Sequence, residues 1–308
     1  MKSRVATAAV CTALFLTACN PNGGSASDNS SQGSSGLSVS TEVNVGTSSV
    51  TLPGDRFFLS EYETYLLGTA ESIAMAKCAR DELGINWGAF SMPLEEPDWS
   101  LMWYEFGPWT VDMAEQFAFA FPSSERGLIV NGVIPAPPGY EMEDPTLVAR
   151  SELPQEDFDA VVSTCGKNPE VLQFNDVNLG LAGTPAESEL RHTREALMRD
   201  DRAKEVFEEL GACYEANGLE QKGDMSVEVA GMDADLINEE QVQLALTVVE
   251  CKTEVNAIPR LASIWAELQA PTIHKYAAEL TEYQRIKDEA ISEARDYIIA
   301  NPDLSPAR

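Results

Sequence analysis

Residues 184–218, TPAESELRHTREALMRDDRAKEVFEELGACYEANG, are the stretch that decides the fold of this chain. Thr184 offers a capping hydroxyl, Pro185 suits the first helical position, and Glu187 follows at the third, a combination typical of a helix start. Gly218 is a typical stop. The apolar residues between them fall along one helical face: Leu190, Ala196, Leu197, Ala203, Val206, Phe207, Leu210 and Cys213. The stretch predicts one long, charged helix over residues 187–217.

The same periodicity predicts further helices on both sides of this stretch. Residues 258–299 form the longest of them, interrupted at Pro271. After the proline, the apolar residues follow a coiled-coil-like seam that Lys287 interrupts. The remaining helices cover residues 59–83, 154–165 and 238–255. We therefore expect an all-α fold, a helical bundle-like body with a long C-terminal helix.

Residues 85–145 break the helical pattern, because repeated prolines allow at most a short helix near Val111–Phe119. Aromatic residues gather in this irregular insertion, and two hypotheses explain them. The rings could form a platform for a glycan or an apolar ligand, with Trp87, Trp99, Trp103 and Trp109 as its members. Alternatively, the segment uses large rings to bury itself against the helices, which is the more common use of such residues.

A short apolar run near the N-terminus ends in Leu16-Thr17-Ala18-Cys19. It follows the basic residues Lys2 and Arg4, and at about a dozen residues it is too short for the ~30 Å core of a bilayer. This arrangement is typical of a secretory signal peptide. The four residues at its end resemble the lipobox of bacterial lipoprotein precursors, in which the cysteine is lipidated and becomes the first mature residue. We expect residues 1–18 to be a lipoprotein signal peptide and Cys19 to carry a palmitate-type anchor.

The next segment, residues 20–50, is rich in Ser and Gly and contains no aromatic residue. Such a composition cannot bury a core and behaves as a flexible coil. We therefore expect residues 19–52 to be a lipidated cysteine followed by a disordered tether. For the body, residues 53–308, we predict a single helical domain with lobes at about residues 53–180 and 181–300.

The charge balance limits the partners of the chain. It carries 50 acidic against 21 basic residues, a formal net charge of −29. Because proteins bind nucleic acid largely through Lys and Arg that neutralise phosphates, we expect no nucleic-acid partner. Anionic lipid headgroups should also repel the body, so we expect its contact with the membrane to come from the anchor on Cys19.

Four cysteines remain beyond the signal peptide and Cys19. An even number in an exported chain predicts two disulfides, and four cysteines allow three pairings. We favour the sequential pairing, because the last two cysteines lie on consecutive predicted helices that can pack antiparallel. The expected bonds are Cys78–Cys165 and Cys213–Cys251. Their spacings match no CxxC redox or zinc motif.

The cysteine-containing helices carry a resemblance to a known group of proteins. Residues 207–218, FEELGACYEANG, contain a helical cysteine followed by glycine five positions later, and residues 248–254, VVECKTE, supply a second one. The pattern resembles the C-terminal half of the uncharacterised secreted lipoproteins of actinobacteria, and Cys78 and Cys165 are similar to their N-terminal pair. The resemblance covers about half of the chain, leaves the aromatic segment unmatched and supplies no catalytic residues. It implies an envelope setting, beside exporters or cell-wall proteins.

The chain matches no common catalytic motif. HExxH, GxSxG, GxxxxGK[ST] and SxxK are all missing from the sequence. His192 and His274 lie in separate predicted helices. Asp224, Asp233 and Asp235 resemble part of a calcium loop, but Ile237 occupies the third ligand position and no glycine follows it. We therefore expect no catalytic residues, no metal site and no cofactor.

Three functions are compatible with these features. The first is a non-enzymatic lipoprotein on the extracytoplasmic face of the cell membrane, binding or scaffolding an envelope protein. The second is a glycan- or small-ligand-binding lipoprotein that uses the aromatic segment, residues 87–121. The third is a cell-wall hydrolase, which would need two carboxylates facing across a cleft. A row of exposed tryptophan rings would favour ligand binding, whereas buried rings would favour scaffolding.

Overall fold

The computed structural model describes residues 37–90, 102–140, 145–175, 179 and 181–304. The predicted signal peptide, the lipidation site Cys19 and Trp99 lie outside the described residues. Within these described ranges, no helix is both long enough and apolar enough to cross a membrane.

Helices dominate the described chain, which confirms the predicted all-α class. A hairpin of β1 (Glu42–Asn44) and β2 (Ser49–Thr51) precedes them, with Val43 opposite Val50. The first half then contains α1 (Glu61–Cys78), α2 (Trp103–Phe106), α3 (Val111–Phe117), α4 (Glu125–Val130), α5 (Pro145–Ser151), α6 (Gln155–Cys165) and α7 (Pro169–Leu172). The second half contains α8 (Pro185–Leu197), α9 (Asp201–Ala216), α10 (Glu239–Glu254), α11 (Ala257–Lys275) and α12 (Ala277–Ala300).

Side-chain caps begin two of the longer helices, α1 and α10. At α1, the Ser60 hydroxyl accepts a hydrogen bond from the Glu63 backbone N–H (3.0 Å), and the Glu63 carboxylate accepts one from the Ser60 N–H (2.8 Å). This is a capping box. At α10, the Asn238 side chain accepts from the Gln241 N–H at 2.8 Å. Caps of this kind contribute about 1 kcal/mol each to helix stability.

The predicted single helix over residues 187–217 is two helices in the structure. It is interrupted after Leu197, and the Asp200 carboxylate then caps α9 by accepting from the Arg202 N–H at 2.9 Å. Asp competes for backbone donors and therefore favours a cap over a helix interior. Leu190 of α8 and Leu210 of α9 consequently lie in different hydrophobic cores, while Leu197 at the end of α8 joins the core of α9.

The interruption predicted at Pro271 lies elsewhere. Pro271 is inside α11, and the chain leaves helical geometry only at Tyr276. A proline removes one backbone hydrogen bond and strains the preceding turn, but tertiary contacts can hold the helix together. Here Ile273, two residues later, is fully buried. Tyr276 and Lys275 both donate to the Glu189 carboxylate, at 2.8 and 2.6 Å, which anchors the break against α8.

The two hydrophobic cores do not follow the predicted lobe boundary near residue 180. One core combines residues 102–133 with α9, α10 and the first part of α11. The other combines α1, α6, α7 and the start of α8 with α12. The last helix of the chain therefore packs on the first long one, and the aromatic segment packs on helices from the second half.

Lys287, the residue that interrupts the apolar seam of α12, is buried rather than turned to solvent. Its ammonium donates to both oxygens of the Glu63 carboxylate, at 2.9 and 3.0 Å. Glu63 is the same residue that completes the cap of α1. One ion pair therefore joins the start of α1 to the middle of α12.

Part of the predicted disordered tether belongs to the folded body. Within residues 19–52, the structure places the β1–β2 hairpin and buries Val50 and Leu52 in the core that contains the aromatic segment. The Ser48 hydroxyl also pairs with the Thr110 hydroxyl at 2.6 Å. Small polar residues alternate with valine over residues 41–51, which is a weak strand pattern. The Ser/Gly composition of the whole segment predicts a flexible coil instead.

Both predicted disulfides are confirmed. Cys78 at the end of α1 is bonded to Cys165 at the end of α6, with Cα atoms 5.8 Å apart. Cys213 of α9 is bonded to Cys251 of α10, with Cα atoms 5.6 Å apart. The bonds close loops with sequence separations of 87 and 38 residues. By loop-closure entropy each stabilises the fold by about 4 kcal/mol.

Candidate functional site

The tryptophans proposed as a ligand platform are buried. Trp87, Trp103 and Trp109 expose 7, 5 and 6 % of their surface, while Trp99 lies outside the described residues. The guanidinium of Arg150 lies over the Trp87 ring at 4.8 Å, and the edge of Trp103 meets the Phe117 ring at a centroid distance of 6.4 Å. At these three positions the platform hypothesis is wrong, because the rings are packed into the two hydrophobic cores that the helices form.

One ring of the aromatic segment does face solvent. Tyr104 of α2 exposes 77 % of its surface, the largest exposed fraction among the large hydrophobic side chains of the described residues. It stacks on Phe121, with centroids 4.7 Å apart and the planes 19° from parallel. The stacking holds the tyrosine ring in place although it is exposed. The neighbouring positions Trp103 and Phe106 are buried, so α2 presents Tyr104 outward on an anchored turn.

Tyr104 lies at the edge of a cleft of about 110 Å³. The cleft lies among α2, α8, α9, α11 and the loop of residues 225–228. The apolar side chains that form its floor include Phe106, Leu197, Met198, Phe207, Leu261 and Trp265. We call this space the cleft. Its walls come from distant parts of the sequence, because residues 102–133 pack on the second half of the chain.

An ion pair forms part of the rim of the cleft. The Arg194 Nε donates to both carboxylate oxygens of Glu105, at 2.7 and 2.6 Å. Both side chains remain in contact with solvent, exposing 53 and 27 % of their surface. Ser226 and Glu228 complete the polar lining, and Glu228 is paired with Lys222 at 3.2 Å.

The floor of the cleft is rigidly held. The indole N–H of Trp265 donates to the Thr193 hydroxyl at 2.9 Å, which fixes the ring between α8 and α11. Its edge meets the Phe106 ring at 6.5 Å and 89°. This hydrogen bond determines how the Trp265 ring is oriented.

A buried lysine, Lys252, is hydrogen-bonded to the backbone of Phe106, one of the residues that line the cleft. The Lys252 ammonium of α10 donates to the backbone oxygens of Phe106 (2.5 Å) and Pro108 (2.8 Å). Between these two residues Gly107 has φ +56°, which lets both carbonyls turn toward the amine. Burial lowers the pKa of Lys252 from 10.5 to about 7, opposed by the charge of Glu228. Lys252 therefore fixes the turn that follows α2.

The ionisable side chains that line the cleft are Tyr104, Glu105, Arg194 and Glu228. Its two carboxylates, Glu105 and Glu228, are each paired with a basic side chain, whereas hydrolysis of a glycoside needs one free proton donor and one free carboxylate. His192 and His274 lie exposed on separate helices, outside the cleft. Among the described residues, no cluster of His, Cys, Asp and Glu could hold a metal ion.

Most residues of the cleft carry no signal in the sequence that marks them as a site. Tyr104 and Phe121 belong to the aromatic segment, but nothing in the sequence distinguishes them from the buried rings around them. Arg194 lies on the polar face of a charged helix, where nothing in the sequence distinguishes it. A signal for Lys252 did exist, since it follows the inward Ala245 and Val249 at helical spacing and so continues the buried face of α10.

Comparisons with protein-family models, curated proteins and solved structures find no match to this chain.

Proposed function

We propose that this chain is a non-enzymatic lipoprotein, anchored through Cys19 to the extracytoplasmic face of the cell membrane, with a binding or scaffolding role at the cell envelope. The two disulfides are the observation that supports a location outside the cytoplasm. Both bonds close with ordinary Cα separations of 5.8 and 5.6 Å, and such bonds persist in oxidising compartments outside the cytoplasm. The resemblance to secreted lipoproteins of actinobacteria supports the same setting.

The binding role is supported by the cleft. It combines apolar side chains with the polar groups of Glu105, Arg194, Ser226 and Glu228, and ligand-binding sites in proteins also combine the two. The pairing of its two carboxylates with Arg194 and Lys222 supports binding over hydrolysis. The partner in this proposal is an envelope protein or a cell-wall glycan.

The anchor is tested with the Cys19→Ala variant and detergent phase partition of cell extracts. Cys19 is the proposed lipid acceptor, so we expect the wild-type chain in the detergent phase and the variant in the aqueous phase. Cys11→Ala is the matched control, because this second cysteine lies in the predicted signal peptide and its loss should leave the partition unchanged. If Cys19→Ala remains in the detergent phase, the anchor is elsewhere and the proposal fails.

A further inference from the structure

We infer that the cleft binds an N-acetylated pyranose of a neutral glycan, with Tyr104 stacked on the sugar ring and the acetamido group inserted toward the apolar floor. This inference rests on the proposed binding function and names the ligand class for it. The residues that carry it are Tyr104, Arg194 and the floor residues Met198 and Trp265.

Tyr104 provides the stacking surface. A pyranose ring presents C–H bonds on its faces and polar groups at its edge, so it matches a flat aromatic ring bordered by hydrogen-bonding side chains. Tyr104 is 77 % exposed and already ordered by its stack on Phe121, so little conformational entropy is lost when a sugar covers it. Glu105, Arg194 and Ser226 lie at the border of the same surface.

The floor selects an acetylated sugar. Met198 and Met225 are half-buried and offer apolar surface in the cleft, while Trp265 is buried and has its N–H committed to Thr193. A sugar hydroxyl pressed against this surface would lose its hydrogen bonds to water without replacement. An acetamido methyl gains by the same burial. The volume of about 110 Å³ accommodates such a substituent, while the sugar ring remains at the open edge.

Arg194 supplies donors for the acetamido carbonyl. Its Nε is bound to both Glu105 oxygens, which orients the guanidinium plane. The two terminal nitrogens make no hydrogen bond within the described part of the chain. They are therefore available to a carbonyl oxygen at the rim.

Charge restricts the ligand to neutral glycans. Glu105 already offsets the positive charge of Arg194, Glu228 also lines the cleft, and the chain as a whole has a net charge of −29. A sugar that carries a carboxylate or a phosphate would be repelled by this surface. A neutral N-acetylated sugar meets no such barrier.

The test compares two oligosaccharides by isothermal titration calorimetry with the full chain purified in detergent. The probes are the β-1,4-linked tetramer of N-acetylglucosamine and cellotetraose, which has the same linkage but a hydroxyl in place of each acetamido group. We expect binding of the acetylated tetramer and at least about tenfold weaker binding of cellotetraose, as for the loss of one well-placed group. Equal affinities would overturn the acetamido assignment, and no binding of either would overturn the sugar site.

Variants locate the binding in the cleft. Tyr104→Ala should weaken binding of the acetylated tetramer by about tenfold, while Tyr104→Phe, which keeps the ring, should retain it. Met198→Trp should abolish binding by filling the floor. Tyr140→Ala, a tyrosine outside the cleft lining, is the control that should bind normally. If Tyr104→Ala and Met198→Trp bind like the wild type while folded, the site lies elsewhere and the inference is wrong.

The same experiment separates this inference from the proposed function. Oligosaccharides that are shortened in the calorimeter cell after the titration would contradict the non-enzymatic role but would leave sugar binding in place. Saturable binding of an apolar peptide at the cleft, with no response to either sugar, would overturn the glycan assignment and leave a binding function. Failure of the membrane anchor is measured independently by the partition of Cys19→Ala.

Discussion

The wild-type chain should become more stable as pH rises above 7, and Lys252→Met should remove this rise. The wild-type ammonium is buried against the Phe106 and Pro108 carbonyls, and its pKa falls from 10.5 to about 7. Above pH 7 the folded chain loses this proton, whereas the unfolded chain keeps it until about pH 10. Because the unfolded state then binds more protons, the free energy of unfolding should rise with pH across this window.

The magnitude follows from the two pKa values. Between pH 7 and pH 9 a group with folded and unfolded values of about 7 and 10.5 contributes about 2 kcal/mol of added stability. Methionine keeps the length of the side chain but has no proton to lose, so the Lys252→Met variant should show none of this rise. Below pH 7 the group is charged in both states and contributes no slope.

The assay is urea unfolding at pH 7, 8 and 9 without reductant, followed by tryptophan fluorescence. Wild type and Lys252→Met are compared with Lys204→Met, which removes a lysine from an exposed position of α9. We expect the free energy of unfolding to rise with pH in the wild type and in Lys204→Met, but not in Lys252→Met. A wild-type stability that is flat or falls over this range, or a rise in Lys252→Met, would contradict this expectation.

Two further predictions concern other parts of the structure. Trp103→Ala should lower the free energy of unfolding by about 3–5 kcal/mol because it empties a core position, and an unchanged thermal melt would show that the ring is not part of the core. Asp55→Asn should become the more stable chain as pH rises from 4 to 6. Burial raises the Asp55 pKa from 3.8 to about 6, so the folded wild type prefers the proton and loses about 2 kcal/mol relative to the variant over that range. Urea midpoints of the two chains that run parallel between pH 4 and 6 would contradict this.

Much of the secondary structure could be predicted because it depends on neighbouring residues. Ser60 and Asn238 cap helices through side-chain bonds that span only three residues, and the sequence contains both partners. The disulfide pairing was also predictable. Consecutive helices such as α9 and α10 tend to pack side by side, which brings Cys213 and Cys251 together.

The errors arose where distant contacts decide between local alternatives. Pro271 should end a helix by its own chemistry, but the packing around Ile273 holds α11 intact, and the interruption occurs at Tyr276. The pairing of α12 with α1 includes a largely buried ion pair between Lys287 and Glu63, 224 residues apart. No periodicity or cap signals such a contact.

The cleft could not have been predicted for the same reason. Arg194 and Glu105 are 89 residues apart, one on the polar face of a helix and the other in a single helical turn between prolines. Aromatic clustering marks the segment from which Tyr104 and Phe106 line the cleft. It could not distinguish the rings that fill the core from Tyr104, the ring that faces solvent, because exposure depends on what packs against each ring.

The most direct test of the account is site-specific photocrosslinking in intact cells. A photoreactive phenylalanine analogue at position 104, on the edge of the cleft, is compared with the same analogue at position 299, an exposed site at the end of α12. The account predicts adducts with N-acetylated envelope glycan from position 104 and none from position 299. Equal adducts from both positions, or none from position 104 in a chain that reaches the membrane, would contradict it.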